Sequence, residues 1–283
     1  LPPLKLPFLS KEKTGGEWVT ETLLAWKIPA IFVVPGSQTI PITHFLPSSY
    51  PLFTARSERS ALLIGGGMGY YLRYPSAVVV TLGPGVALTP PYLPFLVKEK
   101  IPLLLLTPGQ PEKKIPRIRE VFQGLSGEQF LSDIVPFLFR VKERDELPFG
   151  VESALTTLLK DPPSPVFLEI SFPLLFQGGF STPIPSFSPE IFPRKESSYL
   201  LYGGDPPSSI PSSAEVTLGN LPEESILPFA VGIFLGGKVL SETRKKRDPL
   251  RVFCFLSPNG FLLGLDSYFF AQDVGLPLYL VGP

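Results

Sequence analysis

The 283-residue sequence predicts a parallel α/β fold. Strand-like apolar runs alternate with helix-like segments through most of the chain. One run, Ile101-Pro-Leu-Leu-Leu-Leu106, is almost continuously apolar, which suits a strand covered on both faces. Two other runs stop at glycine-marked turns, Pro35-Gly36 and Gly83-Pro84-Gly85.

The elements follow in order. Residues 1–13 read as a surface arm. Thr14 is placed to cap a helix over 16–26, where Val19, Leu23 and Trp26 share a face. Ile28 to Val34 is a buried strand ended by Pro35-Gly36. Ser37 and Thr39 are cap residues for a short helix near Pro41. Leu52 to Ala55 predicts a short strand, and Glu58 to Leu72 a helix in spite of Gly65-Gly66-Gly67 and Gly69. Each glycine costs a helix about 1 kcal/mol, so a run of them points to close backbone contact with another helix or with a ligand. Ala77 to Thr81 is a strand, Gly83-Pro84-Gly85 a loop, and the stretch to Lys98 is helical and proline-marked. After the strand 101–106 comes a long loop, 107–124. A mixed segment over 133–141, a helix over 147–159 and a strand over 165–170 complete the unit.

The expected divisions are an arm, 1–13; an α/β domain, 14–175; a Pro/Ser/Gly-rich linker or domain remnant, 176–222, around Tyr199-Leu-Leu-Tyr202; and a second, reduced α/β unit, 223–283. In that unit the pattern predicts helices over 226–240 and 261–273 and strands over 251–256 and 278–281. The chain has 36 prolines, which shorten its helices and stiffen its loops.

Composition narrows the function. The chain is 44% hydrophobic and only 18% charged, with mean hydropathy +0.24, which implies large buried or contact surfaces. Its formal net charge is zero. The two basic clusters, Lys113-Lys114-Arg117-Arg119 and Arg244 to Arg247, are short and lack interleaved aromatics, so nucleic acid is not an expected partner. A single cysteine, Cys254, excludes an internal disulfide and reads as a small buried hydrophobe in a reducing compartment. The first residues lack a basic leader and a cleavage site, and no apolar run is long enough to span a membrane. The expectation is a cytoplasmic protein without a membrane partner. The single histidine, His44, has no metal or triad pattern around it and reads as a helix-surface or satisfied interior group.

One constellation carries chemistry. Thr14-Gly15, Trp18, Leu23-Leu24, Ile31-Phe-Val-Val-Pro-Gly-Ser37, Glu58, Thr81-Leu-Gly-Pro-Gly85, Ile101 to Thr107 and Gln123 stand in one order. Over about 160 residues that order resembles the pyrimidine-binding domain of thiamine-diphosphate-dependent enzymes. The family includes acetolactate synthases and the menaquinone-pathway SEPHCHC synthase. Pro35-Gly-Ser-Gln-Thr-Ile-Pro-Ile42 and Glu58-Arg-Ser60 look most like the latter, while Ser57 stands where decarboxylating synthases more often have histidine.

The resemblance implies thiamine diphosphate and Mg2+ as cofactors. It implies 2-oxoacid decarboxylation or carboligation, with a homodimer or larger assembly, or a complementary subunit, completing the site. Glu58 is then the catalytic carboxylate that hydrogen-bonds the aminopyrimidine ring; taken alone it is a helix-start carboxylate serving the dipole. Pro35, Gly36, Gly83, Pro84, Gly85 and Gln123 become cofactor-binding positions, and Ser37 and Gln38 substrate-binding ones. Gln38 stands where the menaquinone enzyme has an arginine, so a bidentate cationic grip on a carboxylate is missing.

Residues 218–262 resemble the start of the diphosphate-binding domain, with Asn259 in the place of the family's magnesium-binding aspartate and Pro258 in the place of its glycine. The family's second ligand, an asparagine, is expected at or beyond Pro283. A non-catalytic or partner-dependent homologue of the same fold is therefore the alternative reading.

Overall fold

A computed structural model describes residues 12–110, 125, 127–181, 198–202, 214–219, 221–243, 251–255, 265–273 and 279–281. Gln123, Asn259 and both basic clusters lie outside these residues.

The first helix, α1 (Gly15–Ala25), starts as expected: Thr14 Oγ1 accepts a hydrogen bond from Glu17 N at 3.2 Å. Strand β1 (Ile31–Val33) is fully buried. A one-turn helix, α2 (Ile40–Thr43), carries Pro41 in its first turn, where no N–H partner is lost. Strand β2 (Leu52–Thr54) is short and partly exposed, as suits a sheet edge. Helix α3 (Glu58–Leu72) is buried over almost its whole length. Next come β3 (Ser76–Val79), α4 (Pro84–Ala87), α5 (Leu93–Lys98) and β4 (Leu103–Gly109), the last buried at all seven positions. Helix α6 (Gly127–Leu131), β5 (Phe137–Val141), α7 (Glu146–Leu158) and β6 (Val166–Ser171) close the unit.

These strands form one parallel sheet in the order β2-β1-β3-β4-β6-β5. Alternation along β4 sends Leu103 and Leu105 to the face covered by α3 and α5, and Leu104 and Leu106 to the face covered by α1 and α7. The near-continuous apolar run thus has the cause expected of it: helices cover both faces.

A second parallel sheet, of order β10-β9-β7-β8, contains β7 (Ser198–Tyr202), β8 (Val216–Leu218), β9 (Arg251–Phe255) and β10 (Tyr279–Val281). Helices α8 (Glu223–Thr243) and α9 (Leu265–Asp273) connect its later strands. Tyr199 to Tyr202, expected in a linker or domain remnant, is in fact a central strand paired with β8 and β9. Its apolar side chains were the visible sign, but a five-residue strand between Pro/Ser-rich stretches gains its partners only in three dimensions.

The glycine run of α3 meets another helix, not open space. A Cβ on Gly67 would lie 2.1 Å from the Phe229 carbonyl oxygen of α8, and one on Gly232 would lie 2.0 Å from the Ile64 carbonyl oxygen of α3. The two backbones touch where both helices lack side chains. Phe229 flanks this crossing, packed against Tyr70 and Phe95 with ring centroids 5.6 and 5.3 Å away. Cys254 is buried in the adjoining core, and burial pushes its thiol up to about 12. His44 ends α2 on the surface, against the edge of Phe45.

Candidate cofactor site

In an open parallel sheet, ligands bind beyond the carboxyl ends of the strands where the winding direction reverses. Here β1 lies between β2 and β3, so that point falls at the ends of β1 and β3. The loops after β1, β2 and β3 carry Pro35 to Gln38, Ser57-Glu58, and Thr81 to Gly85.

The first loop is held by its own side chains. Thr39 Oγ1 donates to the Gly36 carbonyl at 2.9 Å and accepts from Gly36 N at 3.3 Å. Pro35 and Ser37 are exposed on it, and Gly36 is half-buried. Gln38 turns inward, 7% exposed, and its Oε1 accepts from Leu82 N at 3.0 Å. That bond ties the first loop to the third.

Glu58 opens α3. Ser57 caps the helix by accepting from Ser60 N at 3.2 Å and donates to Ser60 Oγ at 3.0 Å. The Glu58 side chain, half-buried, points toward the third loop. There Gly83 has φ +77°, a conformation that suits glycine, and Pro84 begins α4.

The first and third loops meet at Thr81, and Glu58 from the second stands beside Gly85. A Cβ on Gly36 would meet the Thr81 methyl at 2.5 Å; one on Gly85 would meet Thr81 Oγ1 at 2.7 Å and Glu58 Oε1 at 3.4 Å. Thr81 opens the Thr81-Leu-Gly-Pro-Gly85 stretch, but a threonine ending a strand carries no signal of its own in the sequence. Thr81 already fills the space beside Gly36 and Gly85, so the two loops pack closely around it, and the Glu58 carboxylate borders this glycine cradle. A carboxyl group beside the cradle can share a proton with a ring nitrogen, so its chemistry suits the pyrimidine end of thiamine diphosphate.

The structure therefore brings Gly36, Gln38, Glu58, Gly83, Pro84 and Gly85 to one sheet edge, with Pro35 and Ser37 on its exposed rim. Among the described residues no group of three or more His, Cys, Asp or Glu side chains is arranged to hold a metal ion. No helix among them is long and apolar enough to cross a membrane.

Comparison with known proteins bears on the fold. Residues 13–130 match the family described as thiamine pyrophosphate enzyme, N-terminal TPP binding domain. No curated protein matches the chain. Among solved structures, benzoylformate decarboxylase from Polynucleobacter necessarius superposes with a TM-score of 0.71 at 12% identity, over 95% of this chain and 85% of the other. The thiamine diphosphate-dependent 4-hydroxybenzoylformate decarboxylase of Rhodococcus jostii RHA1 does so with 0.71 at 11% identity, over 95% and 85%. A putative thiamin diphosphate-dependent enzyme from Mycobacterium smegmatis gives 0.75 at 10% identity, over 96% and 88%. The chain has the parallel α/β fold of thiamine-diphosphate-binding enzymes, and the family match lies within residues 13–130.

Proposed function

We propose that this chain is a thiamine-diphosphate-dependent enzyme acting on a 2-oxoacid, by decarboxylation alone or by carboligation to an acceptor. Acetolactate-synthase-like and SEPHCHC-synthase-like reactions are its two candidate forms. The observation that carries the reading is the Glu58 carboxylate beside the glycine cradle, with Oε1 3.4 Å from where a Gly85 Cβ would stand.

When bound, thiamine diphosphate supplies the carbon nucleophile and the electron sink that 2-oxoacid decarboxylation requires. Glu58 would share one proton with a pyrimidine ring nitrogen: its protonated carboxyl would donate to the neutral ring, and its carboxylate would accept from the protonated one. Gly36, Gly83 and Gly85 let backbone approach the ring, and Pro35 and Pro84 stiffen the two loops. Ser37 on the rim and Gln38 behind it are the substrate-side residues. Gln38 acts through the loop it fastens to Leu82. Gln123 is a further cofactor contact, and Asn259 the magnesium ligand.

A second reading is a partner-dependent homologue, in which a complementary subunit or a second copy supplies what the diphosphate needs. Pro258-Asn259 favours it, because asparagine brings Mg2+ no negative charge. Turnover separates the readings. Carbon dioxide release from a panel of 2-oxoacids, with cofactor and Mg2+ present, should fall at least about 100-fold in Glu58→Gln while cofactor affinity stays within a few fold. Binding without turnover, relieved only by another chain, would favour the partner-dependent reading. Equal turnover in the variant would exclude the role given to Glu58.

A further inference from the structure

The same edge of the first sheet holds a buried carboxylate that the proposed chemistry does not use. Glu169 on β6 is 2% exposed. It shares a face with Phe167, on the side of α3 and α6. Its Oε1 meets Arg140 Nε at 3.0 Å, and its Oε2 accepts the backbone N–H of Gly127, the first residue of α6, at 3.3 Å. Arg140, its register neighbour on β5, also reaches Glu128 at 3.6 Å.

Two glycines make room for this side chain. A Cβ on Gly109, at the end of β4, would lie 2.6 Å from Glu169 Cγ and Oε1. A Cβ on Gly127 would lie 2.4 Å from Phe167 Cζ and 3.0 Å from Glu169 Oε2. Burying a carboxylate is costly, and apolar residues of similar volume often serve stability as well. A role in placing something explains its presence better than stability does.

What it places is visible in the packing. Helix α6 rests on α4, and α4 begins at Pro84 and holds Gly85 opposite Glu58. Contact thus runs from Glu169 through the start of α6 and α4 to the glycine wall.

We propose that Glu169 is a positioning residue for the candidate cofactor site: it anchors the start of α6 and thereby sets α4 and the Gly83-Pro84-Gly85 wall opposite Glu58. The anchoring stands on the geometry alone, and its effect on thiamine diphosphate rests on the function proposed above.

The test has two parts on the full chain. Without cofactor, hydrogen exchange is compared in wild type, Glu169→Leu and Glu169→Gln. Leucine removes the acceptor, whereas glutamine keeps an oxygen for Gly127 N. Exchange over 127–131 and 84–87 should quicken about tenfold in Glu169→Leu and return close to wild type in Glu169→Gln, with β6 itself unchanged. Unchanged exchange at α6 and α4, loosening spread evenly over β6, or a glutamine variant as loose as the leucine one would each overturn the anchoring.

Cofactor titration then follows, with the dissociation constant expected to rise about tenfold in Glu169→Leu and to stay within about twofold in Glu169→Gln. Local loosening with unchanged affinity would overturn the positioning role. Failure of the wild type itself to bind would instead remove the proposed function, and the exchange result would still decide the anchoring.

Discussion

At the scale of single residues, the site depends on groups whose roles differ in visibility. Glu58 was legible because its place after the second strand, in register with Pro35-Gly36 and Gly83-Pro84-Gly85, gave a lone carboxylate a context. Gln38 was legible as a member of the loop but not as its fastening, since the bond to Leu82 N joins residues far apart in sequence. That bond makes a prediction. Gln38→Leu leaves a buried N–H without its acceptor and should cost about 1–3 kcal/mol in denaturant unfolding, whereas Gln38→Glu should recover most of it.

Glu169 gives a pH dependence. Burial pushes its carboxyl above the ordinary value of 4.5, against the opposing pull of Arg140 and Gly127 N–H and with a smaller push from Glu128. Arg140 on β5 and Glu128 on α6 are the charged groups that face it. The folded chain therefore holds this proton more tightly than the unfolded chain. The stability it contributes is complete below 4.5 and is lost as pH rises through the folded value. Unfolding midpoints of wild type relative to Glu169→Gln should fall across that window. A difference that does not change with pH would contradict this.

At the scale of elements, the α3–α8 crossing is the contact on which the arrangement turns. The sequence announced close approach through Gly65-Gly66-Gly67 but not its partner, because a helix and a ligand ask the same of a glycine. The structure names the partner, and the glycines then differ in a measurable way. Gly67→Ala and Gly232→Ala would press a methyl against backbone carbonyls that cannot move without parting the helices. Each should lower stability by about 3 kcal/mol or more. Gly66→Ala meets first the flexible end of Leu96 and should cost clearly less. Urea unfolding of the three variants checks the order. Strands β7 and β8 show the opposite limit of the sequence. They are too short, and too separated by proline and serine, to announce themselves before β9 lies beside them.

At the scale of the molecule, the second sheet's helices lie against the helix that carries Glu58. Besides the glycine crossing, Ser60 Oγ and Ser267 Oγ of α9 are 3.1 Å apart in a buried contact. Arg56 reaches Asp273 at 3.2 Å and lies over the Phe269 ring at 5.6 Å. The Arg56–Asp273 pair is solvent-exposed, so Arg56→Ala should cost no more than about 1 kcal/mol. The packed crossing, not the ion pair, holds the two parts together. Parallel α/β architecture was legible because apolar runs and glycine turns recur with a fixed order. The division of the chain was not, since β7 and β8 enter the second sheet from a stretch that reads as linker.

The central claim is that the glycine cradle beside Glu58 receives the pyrimidine end of thiamine diphosphate. Calorimetric titration of thiamine diphosphate with Mg2+ into wild type and Gly85→Ala tests it most directly. The alanine methyl would press on Thr81 Oγ1 at 2.7 Å, beside Glu58 Oε1 at 3.4 Å, and so disturb the wall next to the carboxylate. Saturable binding to wild type, weakened about tenfold or more in a Gly85→Ala variant that melts like wild type, is the predicted result. No binding to wild type at millimolar cofactor, or equal affinity in the two proteins, would contradict it.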